Sequence, residues 1–453
     1  MINWKENKTF CPYAFKGAVI KHNNNVVPCC RWNSWASTED GSMPHRHSES
    51  LDLTQKNIIN YETYFDDVRK KMLKGEVVRE CVKCYQQEQD GVNSMRLSAI
   101  RDFVKKPEKL KQLVDHRGPK GLHKNMYKPR LEYLEIESGR YCNLKCRSCG
   151  PGLSSSWDED LKNNKKAIEN FYGNDHHWYE QEKKGANTNE SLAMLSYEDC
   201  KHLTEIKVTG GEPFLTDAFL KFVENLVNWD LSKNIILDVF TNASFYPKAK
   251  HTKLLTKFKF VDINMSIDGV GKHNEFLRKK SKWSVIEKVT KQWEKLALDN
   301  KNISIGISHT LTIFNCLHYI DFLKWCKNHF NKKMFAQENG KPAGGNFVDF
   351  AVAYGPDYLA IRNFSSSVKK ELLRNIYDQW EELQQLPEYE SKNHRLLAKG
   401  HLDGSFRKII KTLQNTDGDS INLKFKEKTE LFDKIRNENW KEVFPELVEV
   451  LNV

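Results

Sequence analysis

Leu131-Glu132-Tyr133-Leu134-Glu135-Ile136-Glu137 is followed at once by Ser138-Gly139-Arg140-Tyr141-Cys142-Asn143-Leu144-Lys145-Cys146-Arg147-Ser148-Cys149-Gly150. The first seven residues read as a β-strand. The segment after them carries Cys142, Cys146 and Cys149 in a C-x3-C-x2-C spacing, which offers three thiolates and not four. A cubane iron–sulfur cluster takes one ligand per iron, so three cysteines leave one iron open to a further ligand, whereas four would leave it able only to pass electrons. The triad sits on the loop leaving a strand's C-terminal end, where α/β enzymes place their chemistry.

From Arg130 onward a strand–helix rhythm repeats. Strands are expected at Leu131–Glu137, Glu205–Thr209, Ile235–Thr241, Val261–Ile267, Ile303–Leu311 and Phe347–Ala353. Between them lie amphipathic stretches at Ser154–Phe171, Asp217–Asn228, Lys248–Phe258, Ser284–Leu298 and Leu317–Phe330. Such alternation implies an α/β fold with a parallel sheet, and six units fit a partial (β/α)6 TIM-like barrel. After Pro356 the pattern turns helical, over Ser367–Leu386, His394–Asn415 and Thr429–Leu451. The expected division is 1–125 for a cysteine-bearing region, 126–363 for the barrel and 364–453 for a helical extension, with the linker at Gly118–Pro129. The insertion Asn174-Asp175-His176-His177-Trp178-Tyr179-Glu180 looks like a metal or substrate site. As a helix-to-strand loop, however, it belongs to the barrel face opposite the chemistry and reads as surface.

The 453 residues carry a net charge of +11, with 39% hydrophobic and 11% aromatic residues. Excess lysines are scattered among asparagines, which fits a soluble surface better than a nucleic-acid patch. The sequence has no apolar run long enough for a membrane span and no signal-like start, so a cytoplasmic protein is expected. Eleven cysteines with C-x2-C and C-x3-C spacings fit metal ligands in a reducing compartment better than a disulfide framework. Cys200, Cys316 and Cys326 stand among apolar neighbours and read as buried structural thiols.

The second strand ends in Lys207-Val208-Thr209-Gly210-Gly211-Glu212-Pro213. Gly210 and Gly211 permit close approach of a ligand to the backbone, and Glu212 offers a carboxylate suited to an ammonium group. One strand after a C-x3-C-x2-C loop, this motif resembles the radical S-adenosylmethionine (radical SAM) superfamily, over roughly Arg130 to Asn363. The resemblance implies a 4Fe–4S cluster on the triad, with S-adenosylmethionine chelating its open iron through amine and carboxylate. It further implies reductive cleavage to a 5′-deoxyadenosyl radical that takes a hydrogen atom from substrate. Glu212 would hold the amine. Asn242, Ser266 and Asp268, at the ends of the third and fourth strands, would face the ribose, and Arg278 would hold the carboxylate, which a guanidinium matches bidentately. One departure is Ser148, where the family often has an aromatic residue against the adenine.

A second cysteine set lies upstream, in Phe10-Cys11-Pro12-Tyr13, Val27-Pro28-Cys29-Cys30-Arg31 and Glu80-Cys81-Val82-Lys83-Cys84. Taken alone, four thiolates ending in C-x2-C suggest structural zinc. Beside the triad they resemble the twitch module, a shortened SPASM domain that binds an auxiliary 4Fe–4S cluster. Cys11, Cys29, Cys81 and Cys84 are then its ligands, with Cys30 the alternative to Cys29. The module precedes the barrel, whereas it usually follows it, so it must fold back towards the barrel mouth. The tail Phe432-Asp433-Lys434-Ile435-Arg436 with Phe444-Pro445-Glu446-Leu447 resembles the ending of a twitch-containing group.

These readings imply an oxidoreductase-like or peptide-modifying enzyme fed by a reductant such as flavodoxin or ferredoxin. Its substrate is expected to be a peptide or protein, or alternatively a small molecule such as an amino-sugar or nucleotide. Nucleic-acid modification has only net charge behind it and lacks interleaved basic and aromatic stretches. A non-catalytic electron carrier would need neither an open iron nor Glu212.

Overall fold

The computed structural model describes residues 8–21, 26–33, 65–89, 93–104, 130–172, 192, 195–336, 346–353, 355–391, 394–414 and 421–451. The Asn174–Glu180 insertion and the linker Gly118–Pro129 lie outside the described residues. Ten strands are present among the described residues: β1 (Gly17–Ile20), β2 (Val26–Val27), β3 (Tyr133–Glu137), β4 (Lys145–Cys146), β5 (Glu205–Thr209), β6 (Ile236–Thr241), β7 (Phe260–Ser266), β8 (Arg278–Lys279), β9 (Ile303–Leu311) and β10 (Val348–Val352). Eight form one sheet in the order β10-β9-β7-β6-β5-β3-β1-β2. All neighbours pair in parallel except β1 with β2.

From β3 to β10 the strands of this sheet lie side by side in chain order. A doubly wound sheet would reverse direction at a switch point; continuous winding is that of a barrel segment. All six expected barrel strands occur, with ends displaced by no more than two residues. Helices Trp157–Tyr172, Asp217–Asn228, Ala249–Leu255, Trp283–Asp299 and Tyr319–His329 fill the connections.

Strand alternation separates the two faces of the sheet. Ile136, Ile206, Val208, Leu237, Val239, Ile263 and Ile305 are buried in one core with Phe222 and Trp293 from the connecting helices. The opposite face is polar. Glu135, Lys207, Asp238, Asp262 and Ser304 occupy one register row across β3, β5, β6, β7 and β9. Closed eight-stranded barrels fill this inner side with branched apolar side chains. Here Asn264 Nδ2 donates to Asp238 Oδ1 at 2.6 Å, and Lys207 and Asp238 keep partial exposure.

Two features differ from the sequence expectation. β1 is a fully buried parallel neighbour of β3, with Ala18 opposite Leu134, so the upstream cysteine region continues the barrel's own sheet. Gly17-Ala18-Val19-Ile20 is too short and too uniformly apolar to show a period. The single helix expected over Thr429–Leu451 is instead three: Ile421–Arg436, Trp440–Val443 and Pro445–Leu451. Asn437 takes a positive φ of 51° and ends the first helix. The Asn439 side chain caps the second through the Lys441 amide at 3.2 Å, and Pro445 opens the third, where its missing N–H costs nothing. No helix among the described residues is long and apolar enough to cross a membrane.

Because β1 sits inside the sheet, hydrogen–deuterium exchange should protect Gly17–Ile20 as strongly as Tyr133–Glu137. Rapid exchange of the first peptide beside slow exchange of the second would contradict the pairing.

Candidate active site

The cysteine loop runs from the tip of β3 to the helix beginning at Trp157, and the tip of β5 is bonded to it along the backbone. Ser138 N donates to Thr209 O at 2.9 Å, Gly211 N to Gly139 O at 2.8 Å and Glu212 N to Tyr141 O at 2.8 Å. A Cβ on Gly211 would lie 2.2 Å from the Tyr141 carbonyl oxygen, and one on Gly210 2.8 Å from the Ser138 amide nitrogen. Gly210 also has φ of +106°. The backbone brought close to the two glycines is therefore that of the cysteine loop, which gives them a reason separate from the ligand approach inferred from sequence.

Three serines close the loop's far side. Ser154 Oγ donates to Leu144 O at 2.5 Å, Ser156 Oγ donates to Cys142 O at 2.8 Å, and the Cys142 amide donates to Ser155 Oγ at 3.3 Å. Arg140, buried, grips Asp158 with both terminal nitrogens at 2.9 and 2.7 Å. The two-residue strand β4 carries Cys146 and pairs with β8, placing Cys146 opposite Arg278.

Glu212 is fully buried at this corner. Its carboxylate accepts from Thr241 Oγ1 at 2.9 Å, from the Asn242 amide at 2.7 Å and from the Phe214 amide at 3.3 Å. Burial nevertheless pushes its carboxyl up to about 7 against these three donors. Asn242 turns its side chain towards the loop, with Nδ2 2.9 Å from Asn143 Oδ1 and 3.7 Å from Cys142 Sγ. Asp268 and Arg278 meet each other, with Oδ2 2.8 Å from Nε, while Asp268 Oδ1 accepts from the Thr310 amide at 2.9 Å. The Nε–H is not aimed at the oxygen, so the contact is an ion pair without an aligned hydrogen bond. Arg278 Nη1 lies 3.9 Å from Cys146 Sγ. Ser266 ends β7, half-buried opposite Ser308.

The donor set fits an iron–sulfur cluster. The Leu144 amide, Asn242 and Arg278 present N–H groups to two of the three sulfurs, the kind of contact that stabilises cluster thiolates. As a free thiol, Cys142 is pushed up to about 12 by burial, whereas Cys146 is lowered to about 7, chiefly by a hydrogen bond from Cys149. Full ionisation of the set calls for the cation charge of bound metal.

Upstream, Cys11, Cys29, Cys81 and Cys84 lie within electrostatic reach of one another. Cys30 has different surroundings. Besides Cys29, it feels Glu135 and Lys207 on the polar face, and its Sγ is 3.6 Å from Met95 Sδ. No three His, Cys, Asp or Glu side chains among the described residues converge as they would round a single ion. Cys200, Cys316 and Cys326 are buried.

Sequence reasoning missed Thr241, which holds Glu212, and the charged row Glu135–Lys207–Asp238. The row was visible as polar residues at every second strand position. Thr241 had no signal beyond its place at a strand tip.

With iron loaded, replacing Cys142, Cys146 and Cys149 together by Ala should remove about half of the bound iron, one cluster of two. Undiminished iron would refute the assignment of the triad.

No family model matches the chain. A GTP 3′,8-cyclase of Alkaliphilus oremlandii (strain OhILAs) is 24% identical over 157 residues, which cover 34% of this chain and 41% of that protein. The chain thus spans less than half the length of that relative. Among solved structures, native anSMEcpe with bound AdoMet overlays 58% of this chain and 62% of its own at 17% identity and a TM-score of 0.35. Streptococcus suis SuiB bound to precursor peptide SuiA overlays 77% and 65% at 14% identity and a TM-score of 0.32. Overlays at such scores carry no weight in the assignment. What the structure adds is that the two motifs on which the chain resembles the radical SAM superfamily, the three-cysteine loop and the glycine–glycine–glutamate turn, are stitched together along the backbone into one unit.

Proposed function

We propose that this enzyme reductively cleaves S-adenosylmethionine at a 4Fe–4S cluster held by Cys142, Cys146 and Cys149, and that its substrate is a peptide or protein. The observation that carries the first part is the stitching of the Glu212 turn to the cysteine loop, which fixes three thiols and a buried carboxylate at one corner. When bound, cluster and cofactor supply the 5′-deoxyadenosyl radical that takes a hydrogen atom from the substrate.

The chain's own residues bind and orient. The Glu212 carboxylate has about four acceptor positions, and three are used by Thr241, Asn242 and Phe214, leaving one for an N–H of the cofactor's amine. Arg278, paired with Asp268 and close to Cys146, would take the cofactor's carboxylate. Asn242 and Ser266 line the same strand tips for the ribose. Gly210 and Gly211 keep the β5 tip thin enough for the whole assembly to close.

In this reading residues 1–125 are a twitch-like module with a second 4Fe–4S cluster on Cys11, Cys29, Cys81 and Cys84. Residues 126–363 are the barrel, and 364–453 the helical extension. The Glu135 and Lys207 charges that bear on Cys30, and not on Cys29, favour Cys29 as the ligand. A flavodoxin or ferredoxin would supply electrons. The peptide assignment rests on the likeness to twitch and SPASM enzymes. A second reading, a nucleotide or similar small molecule, is favoured by the cyclase match.

Anaerobically loaded, reduced protein given S-adenosylmethionine and candidate substrates should form 5′-deoxyadenosine. None from well-loaded protein would sink the enzyme reading. Glu212, raised to about 7 by burial, is increasingly protonated as pH falls through that value and then loses its carboxylate's attraction for the N–H groups of an iron-bound amine. S-adenosylmethionine affinity, measured calorimetrically, should therefore fall from pH 8 to pH 6. Glu212→Gln should bind weakly with a flat profile. A wild-type-like profile in that variant would show that another group holds the amine.

A further inference from the structure

Cys146 lies between Lys145 and Arg147, and both flanking side chains end in buried ion pairs. Lys145 Nζ is 2.5 Å from Asp160 Oδ1, and the other oxygen of Asp160 takes Arg436 Nε at 2.8 Å. Arg147 Nη2 meets Asp433 and, at 2.9 Å, Glu438 Oε2. Glu438 also takes Lys279 Nζ, from β8, at 3.0 Å. The partners Asp433 and Arg436 thus come from the helix Ile421–Arg436 near the chain's end, 286 residues beyond Arg147 in the case of Asp433. Aromatic rings complete the seats: the Arg147 guanidinium stands 3.8 Å from the Phe276 ring centre, and that of Arg436 4.6 Å from Trp157. Arg436 and Arg278 both lie within electrostatic reach of the Cys146 sulfur.

Buried ion pairs of this kind contribute little net stability, because desolvation offsets attraction, and apolar replacements often serve as well. Their placement here has another consequence. Both peptide neighbours of one cluster ligand are fixed, and a guanidinium from the far end of the chain is tied through Asp160 to the lysine next to that ligand. A cluster that gains an electron becomes more negative, so a fixed cation nearby favours the reduced form.

We propose that the segment Asp433–Glu438 is part of the radical-generating site. Arg436 is a positioning and charge-setting residue for the Cys146-ligated cluster, and the Arg147–Glu438 pair balances it. This rests on the function proposed above.

The test is an EPR-monitored redox titration of the full-length, anaerobically loaded protein. Arg436→Met should move the triad cluster's couple to a more negative potential and leave the upstream cluster's couple in place, while Arg436→Lys should stay near wild type. Glu438→Gln, at a less buried position, should move the same couple the other way and covers the case in which Arg436→Met fails to load. Fully loaded Arg436→Met or Glu438→Gln with both couples unchanged would overturn the inference. Retention of every cluster after replacement of the triad would instead overturn the function on which it rests.

Discussion

Two backbone hydrogen bonds, Gly211 N to Gly139 O and Glu212 N to Tyr141 O, hold the site together. They let the loop after β3 and the turn after β5 run against each other as if the strands had not ended. No side chain fits between them: a methyl group on Gly211 would sit 2.2 Å from a carbonyl oxygen. The Gly-Gly-Glu turn and the cysteine loop are therefore one structural unit. The position of Glu212 relative to the triad follows from the backbone and not from flexible side chains, which is how a site is preorganised.

Around that unit, charge is placed where burial makes it consequential. Glu212 is ionisable in the middle of an apolar corner, with its donors drawn from the tip of β6 and from the following turn. Arg278, Arg147 and Lys145 surround Cys146, each with a carboxylate partner. On the polar face of the sheet, Lys207 stands among Glu135, Asp238 and Asp349, with Cys30 of the upstream region beside it. The upstream region is thus tied to the sheet through β1 and, through Cys30, to the face that a closed barrel would fill with apolar side chains.

The barrel was legible in the sequence because its strands and helices alternate with strong periods, and because the triad and Gly-Gly-Glu fall at strand tips. The spacing of the three cysteines was the sequence's clearest pointer to thiol chemistry, and the structure adds the backbone bonds that hold their loop against the Glu212 turn. What stayed hidden is non-local. Gly17–Ile20 has no alternation because it is buried on both faces. The ion pairs of Arg147 and Arg436 join residues far apart in sequence, so neither segment carries a local pattern pointing to the other. The role of Gly211 could not be told from ligand approach until the neighbouring backbone was seen. The tail's break at Asn437 and Pro445 was written in its residues, but the apolar period running through Phe432, Phe444 and Leu447 concealed it.

The central claim is that the loop Cys142–Cys149 holds a cluster with one iron free for S-adenosylmethionine. Low-temperature EPR of the reduced protein, with and without S-adenosylmethionine, tests it most directly. The account predicts that the cofactor alters the signal of one of two clusters and that this signal is missing after replacement of the triad. A spectrum indifferent to the cofactor in fully loaded protein would contradict it.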